Sequence, residues 1–118
     1  MKWSSRDAQG GVAVIALEGG FDPGEIRDFA EEAEKVIDAY AGRVVLDLSR
    51  CTFITSQGVG SLLALHTRAR KRGGDAKFAA VRGMVADVIR TTGLHLRFEQ
   101  HPTVDAAVAA FAAAPKQN

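Results

Sequence analysis

The organisation of the chain shows most clearly in residues 43–60, which read RVVLDLSRCTFITSQGVG. The first six of them form an apolar run that predicts a buried strand at residues 43–48. Residues 49–54 have no regular pattern and are expected to be irregular. A helix should then begin near Thr55 and Ser56, because hydroxyl side chains accept hydrogen bonds from the free amides of a helix start. This stretch therefore predicts a strand that leads into a helix.

The same alternation continues on both sides of this stretch. Further strands are predicted at residues 2–7, 12–17, 76–81 and 94–99. Further helices are predicted between residues 22 and 42, at residues 83–92, and from Thr103 onward. A tight glycine turn makes the first two strands antiparallel, whereas strands that alternate with helices pair in parallel. We therefore expect an α/β fold with a mixed, mostly parallel sheet of four to five strands and about four helices.

Capping residues set the predicted helix boundaries. Asp22 is the expected N-cap of the first helix, with Pro23 at its first helical position. Gly42 is a natural stop for the same helix. Thr103 is the expected N-cap of the last helix. These four residues are typical of helix ends.

Composition narrows the classes of function. With 118 residues, the chain has room for one domain, which we place at residues 1–114 with residues 115–118 as a flexible tail. Its 15 Lys and Arg balance 14 Asp and Glu, which argues against a nucleic-acid-binding protein. One cysteine and three scattered histidines predict no disulfide, metal site or cofactor. Neither a membrane span nor a signal peptide is evident, so we expect a cytoplasmic protein that is not inserted into a membrane.

The carboxyl ends of the strands are where binding sites of α/β folds tend to lie, and here they point to residues 47–58. Asp47 lies near the end of a predicted strand, and Ser49 follows that strand. Thr55 and Ser56 lie at the start of the next helix. One interpretation is that these hydroxyls only cap the helix. The other is that one of them is a phosphorylation acceptor, because a helix start tolerates a phosphate.

Four motifs in this order resemble those of the STAS domain, the fold of the bacterial anti-sigma factor antagonists. Residues 14–22 (VIALEGGFD) are similar to its strand and Gly-x-Asp opening, and residues 44–49 (VVLDLS) to its second signature. Residues 53–60 (FITSQGVG) are similar to its phosphorylation loop, and residues 103–108 (TVDAAV) to its last helix. The resemblance covers nearly the whole chain and implies the same mixed α/β architecture.

What the resemblance implies is a non-enzymatic partner switch. The unphosphorylated antagonist binds an anti-sigma factor that is also a serine kinase; phosphorylation breaks the complex and a phosphatase restores it. Ser56 and Thr55 are the implied phosphorylation candidates. The implied partner-binding residues are Asp22, Asp47, Ser49, Thr55, Ser56, Gln57 and Gly58.

The chain departs from the family pattern in the loop itself, which commonly reads Asp-Ser-Ser-Gly or Asp-Ser-Thr-Gly. Thr55 stands where the aspartate is expected, Ser56 keeps the first hydroxyl, and Gln57 replaces the second. If the acceptor is the first hydroxyl, Ser56 can serve; if it is the second, Gln57 cannot.

These departures favour a second hypothesis, a regulatory STAS subunit of a membrane transport complex such as a lipid-trafficking ABC system. Such a subunit would bind a nucleotide-binding partner with the same surface and need no phosphorylation. A nucleotide-binding role for the chain itself has little support, because it has no Gly-x-x-x-x-Gly-Lys-Ser/Thr loop.

Three further features are expected to be structural. Cys51 lies in an apolar context and is predicted to be a small buried residue. His66 lies on the apolar stripe of its helix and is predicted at the edge of the core. The basic run at residues 68–72 is interpreted as a solvated helix end, whose positive charges interact favourably with the helix dipole.

Overall fold

The computed structural model describes residues 2–21 and 25–113. The predicted cap at Asp22, the neighbouring Pro23 and the predicted tail at residues 115–118 lie outside the described residues. The elements in chain order are β1 (Lys2–Ala8), β2 (Val12–Phe21), α1 (Ile26–Ala39), β3 (Arg43–Ile54), α2 (Ser56–Lys71), β4 (Asp75–Ala79), α3 (Gly83–Thr91), β5 (Gln100–His101) and α4 (Val104–Ala113).

The five strands form one sheet in the order β1-β2-β3-β4-β5. β1 pairs antiparallel with β2, and the remaining neighbours pair in parallel. The prediction of a mixed, mostly parallel sheet with four helices is therefore confirmed.

The two faces of this sheet are covered by different helices. The front face, which includes Ile15, Leu46 and Phe78, packs against α1, α2 and α3. The back face, which includes Val14 and Val45, packs against α4. Successive residues of a strand point to opposite faces, and here both are covered, which explains why the strands read as continuous apolar runs.

Two predicted helix ends are confirmed. Gly42 has a φ of 80°, and its amide donates to the carbonyl of Ile37 at 2.8 Å, which ends α1 in the left-handed conformation that glycine favours. Thr103 caps α4, because its Oγ1 accepts a hydrogen bond from the amide of Ala106 at 3.0 Å.

The prediction that residues 49–54 are irregular is wrong. They continue β3, because the second half of β2, up to Phe21, pairs with them as far as Ile54. Arg50 pairs with Glu18, whereas Ser49 and Thr52 have no partner in this register. The polar side chains of these three residues gave no strand signal.

The predicted strand at residues 94–99 is also wrong. Leu94–Leu96 form a 3-10 turn, and the amide of Phe98 donates to the carbonyl of Leu94 at 2.9 Å. This helical spacing brings Leu94 and Phe98 into the front core, and only Gln100 and His101 remain for β5.

None of the helices within residues 2–21 and 25–113 has the length and apolarity needed to cross a bilayer.

Candidate functional site

Two bulges in β3 shape the end of the strand that leads to the candidate site. Ala16 and Glu18 of β2 pair with Asp47 and Arg50, so β3 has one residue more than β2 in that interval. The next register shift places Gly19 opposite Cys51 and Gly20 opposite Phe53, which adds a second extra residue. Bulges bend a strand and change the direction of the side chains that follow, and they are frequent near functional sites.

The second bulge separates buried from exposed side chains at the end of β3. Cys51 and Ile54 are buried in the front core, whereas Phe53 is 43% exposed. The ring of Phe53 lies against the backbone of Gly20, so closely that a Cβ atom at Gly20 would overlap it. The exposed ring of Phe53 can pack here only because Gly20 has no side chain.

Thr55 and Ser56 have different surroundings at the start of α2. Thr55 is the N-cap: its backbone is extended, and its Oγ1 accepts a hydrogen bond from the amide of Gly58 at 3.2 Å. Ser56 is the first helical residue and is exposed, as is Gln57, whereas Gly58 is buried. Within the described part of the chain, the Ser56 hydroxyl makes no side-chain hydrogen bond. The capping interpretation thus holds for Thr55 and leaves Ser56 accessible.

Asp47 and Ser49 lie apart from the start of α2. Asp47 Oδ1 accepts a hydrogen bond from the amide of Ser49 at 3.0 Å, across the first bulge. Since its neighbours Leu46 and Leu48 belong to the front core, Asp47 is directed toward the back face. Ile54, at the end of β3, is seven positions further along the chain, about 20 Å along a strand. The structure therefore places the predicted site residues in two locations, with Asp22 outside the described residues.

Cys51 and His66, two of the features expected to be structural, have such roles. Cys51 is buried, and burial raises the pKa of its thiol, so the reactive thiolate is disfavoured. His66 is half-buried at the edge of the core, as predicted, with its ring 4.7 Å from that of Phe98 and its Nε2 3.2 Å from Asp75 Oδ1. Burial lowers the pKa of His66, and the charge of Asp75 opposes that shift.

The basic run at residues 68–72 has a partner that the sequence did not indicate. Arg68 Nη2 and Arg72 Nε donate to the carboxylate of Asp38 in α1, at 2.7 and 2.9 Å. The hydrogen bond from Arg68, with a further one from Arg72, lowers the pKa of Asp38 to about 2. The helix end is thus held by an ion-pair network with α1.

Sequence reasoning missed a chain of charged groups at the edge of β4. Lys77 is buried, with Nζ 2.6 Å from Glu99 Oε2 and 3.3 Å from Asp75 Oδ2. Glu99 Oε1 lies 2.7 Å from His101 Nε2. The hydrogen bond from Lys77 lowers the pKa of Glu99. The sequence gives no signal of these contacts. Lys77 and Glu99 are 22 positions apart in the chain, and only the fold brings them together.

Comparison with known proteins defines the class. The family model described as "Mlab, STAS domain" matches residues 4–98, most of the chain. The protein belongs to the STAS domain family, and the resemblance stated from the motifs is confirmed. Against proteins with curated descriptions, the sequence gives no match.

Solved structures share the fold over nearly their whole length. An anti-sigma factor antagonist from Mycobacterium paratuberculosis is 26% identical, with a TM-score of 0.81, covering 94% of this chain and 93% of that one. The unphosphorylated Bacillus antagonist SpoIIAA is 16% identical, with a TM-score of 0.74 and coverage of 96% and 100%. A sulfate transporter family protein from Wolinella succinogenes is 18% identical, with a TM-score of 0.73 and coverage of 92% and 90%.

Proposed function

We propose that the chain is a non-enzymatic binding module of the anti-sigma factor antagonist type, acting in the cytoplasm, with residues 1–114 as its single domain. It would sequester an anti-sigma factor that is also a serine kinase, and a phosphatase would reverse the modification. It would neither bind nucleic acid directly nor insert into a membrane. The likeness to the mycobacterial antagonist supports the class of partner. The observation that carries the proposal is the exposed Ser56 at the first position of α2.

Ser56 is the better acceptor of the two candidates. Thr55 Oγ1 is engaged with the amide of Gly58, and losing such a cap costs about 1 kcal/mol. Transfer of the γ-phosphoryl group of ATP to Ser56 Oγ, with release of ADP, leaves that cap in place. The free amides and dipole of the first turn stabilise the resulting negative charge.

A phosphate on Ser56 would change the binding surface much more than the fold. Its flanking residues Thr55 and Gln57 carry no charge, so a dianion would dominate the local potential. In a close interface it would lose hydration and face the partner's own acidic groups, both of which weaken binding. The exposed ring of Phe53, three residues before Ser56, would lie at the same surface. Asp22, Asp47 and Ser49 remain proposed partner contacts, with Asp47 and Ser49 apart from the start of α2.

The test is phosphorylation by the anti-sigma kinase encoded in the same gene neighbourhood, with Mg-ATP and intact-mass analysis. We expect the wild type and Thr55→Ser to gain one phosphoryl group and Ser56→Ala to gain none. Calorimetry should give binding of the unmodified chain to the kinase and binding about tenfold weaker or worse for Ser56→Glu. Modification of Ser56→Ala, or equal binding of Ser56→Glu, would contradict the proposal.

A second candidate, a regulatory subunit of a membrane transport complex, is favoured by one observation. The loop lacks both the aspartate and the second hydroxyl of the usual pattern, at Thr55 and Gln57. The same α2 surface would then bind the ATPase subunit of a transporter. This candidate predicts a stable complex with that subunit in which Ser56→Ala changes nothing and no kinase is needed.

A further inference from the structure

A groove of about 580 Å³ lies on the back face between β1 and α4. Arg6 and Ala8 of β1 form one wall and the β1–β2 turn closes one end. The other wall is α4, through Val104, Asp105, Val108, Ala109 and Ala112. This groove is on the opposite face of the sheet from α2, so it is separate from the surface around Ser56.

The wall formed by α4 is unusually apolar for an outer helix. Asp105 is the only charged residue among its ten positions, whereas seven of the fourteen residues of α1 are charged. Val104 and Val108 are only half-buried against the sheet, and Ala109 and Ala112 are exposed. A surface helix normally turns a charged side to water, so this wall is better matched to a protein surface than to solvent.

The two charges of the groove stand on opposite walls. Arg6 and Asp105 are both exposed. Within residues 2–21 and 25–113, neither side chain takes part in a hydrogen bond or an ion pair. A surface that offers one unpaired cation and one unpaired anion on opposite walls of one groove is complementary to itself. In a two-fold arrangement, Arg6 of each copy faces Asp105 of the other, because residue contacts are reciprocal across such an axis.

We propose that this groove is the interface of a symmetric homodimer, in which α4 of each copy lies beside its counterpart and over β1 of the other copy. A second copy fits better than a partner of one charge sign, since an acidic or basic surface would meet a like charge at Asp105 or Arg6. The contact joins one short helix and one strand per copy and forms a weak dimer, with a dissociation constant of about 10–100 µM. Both Ser56 surfaces stay exposed in it.

The experiment is sedimentation velocity of the full chain alone, from about 10 to about 500 µM, which brackets the affinity of a small interface. We expect the wild type to shift from monomer to dimer across this range. Arg6→Asp and Asp105→Arg should each weaken dimerisation about tenfold or more, because each puts two like-charge pairs into the interface. The matched control, Glu31→Lys on the exposed side of α1, should dimerise as the wild type does.

Complementation separates a broken interface from a damaged fold. An equimolar mixture of Arg6→Asp and Asp105→Arg chains restores both opposite-charge pairs, so it should dimerise near the wild-type affinity although neither chain does so alone. The doubly substituted chain should also dimerise. A wild type that stays monomeric at the highest concentration overturns the proposal. So does a dimer that is insensitive to either reversal, or a mixture that stays monomeric.

Discussion

The front and back faces of the sheet differ in what covers them. Three helices cover the front, and its core contains the large buried rings of Phe29, Phe78 and Phe98. One helix covers the back, whose buried cluster is built from valine and alanine, as at Val45 and Ala79. The front therefore buries far more apolar surface, which is the main source of stability. The back leaves strand surface and a groove open, which is where a fold can accept a partner without losing its core.

The largest effect we expect is from truncating an aromatic residue of the front core. Phe78 stacks on Phe98, with ring centroids 4.0 Å apart, so Phe78→Ala should lower the free energy of unfolding by about 3–5 kcal/mol. Val45→Ala on the back should cost about 2 kcal/mol, since it removes less buried surface. Urea unfolding with unchanged m-values measures both. Equal losses would remove the distinction between the faces.

A second test concerns the turns after α1 and α2, where Gly42 and Gly74 lie. Gly74 touches the backbone of Gly42, and a Cβ atom at Gly74 would overlap the carbonyl of Gly42. Gly74→Ala should therefore destabilise the protein by about 2 kcal/mol. The control is Gly60→Ala in α2, where a Cβ atom would have no neighbour within 4 Å; it should stabilise by about 0.5–1 kcal/mol. Thermal or urea unfolding should give opposite signs, and the same sign for both would refute the close approach.

A third test concerns the ion pair that lies under α4. Lys77 Nζ is 4.8 Å from the ring centroid of Phe111 and donates to Glu99. Because Lys77 holds the pKa of Glu99 below its ordinary value of 4.5, the ionised pair adds stability above that pH and loses it as pH falls through the lowered pKa. Lys77→Met should lower the stability at neutral pH by about 1–2 kcal/mol, because it leaves the carboxylates of Asp75 and Glu99 without their cation.

The pH dependence of stability shows what the ionised Lys77–Glu99 pair contributes. Below pH 4.5 the wild type should lose stability more steeply than Lys77→Met, as measured by urea unfolding at a series of pH values. Parallel curves for the two proteins would show that the pair contributes nothing to the acid sensitivity.

The smallest effect should come from the surface of the front layer. Arg68 and Arg72 lower the pKa of Asp38 to about 2, so the stabilisation from this network is complete above the ordinary value of 3.8 and is lost as pH falls toward 2. Asp38→Asn should lower Tm slightly at neutral pH and low salt. High salt should reduce the difference, because exposed ion pairs are screened. A difference that is unchanged by salt would point to packing instead.

The sequence predicts the elements of this fold better than their details. Strands and helices were recognisable because each is an apolar run or stripe that ends at a glycine or a hydroxyl cap, as at Gly42 and Thr103. The end of β3 was missed because its bulges interrupt the alternation that identifies a strand. Likewise, the residues predicted as the last strand adopt helical spacing between Leu94 and Phe98, which an apolar run of that length does not reveal.

The candidate site was predictable where it is local. A helix start is encoded within four residues, so a start near Thr55 and Ser56 follows from the sequence alone. Which face Asp47 occupies does not, because a strand buried on both sides has no polar alternation to mark its faces. The contact between Asp38 and Arg68 joins residues of different helices, and only the packing of α1 on α2 brings them together.

The cap at Thr55 makes one position of the loop free to vary. Threonine and aspartate both serve as N-caps, so Thr55 in place of the aspartate of the usual pattern leaves α2 with a capping side chain. What the exchange does alter is the charge beside Ser56: a phosphate there would have an uncharged neighbour where an aspartate would repel it. If Ser56 is modified as we propose, a single exchange at this position changes the electrostatic cost of the phosphate while α2 keeps its N-cap.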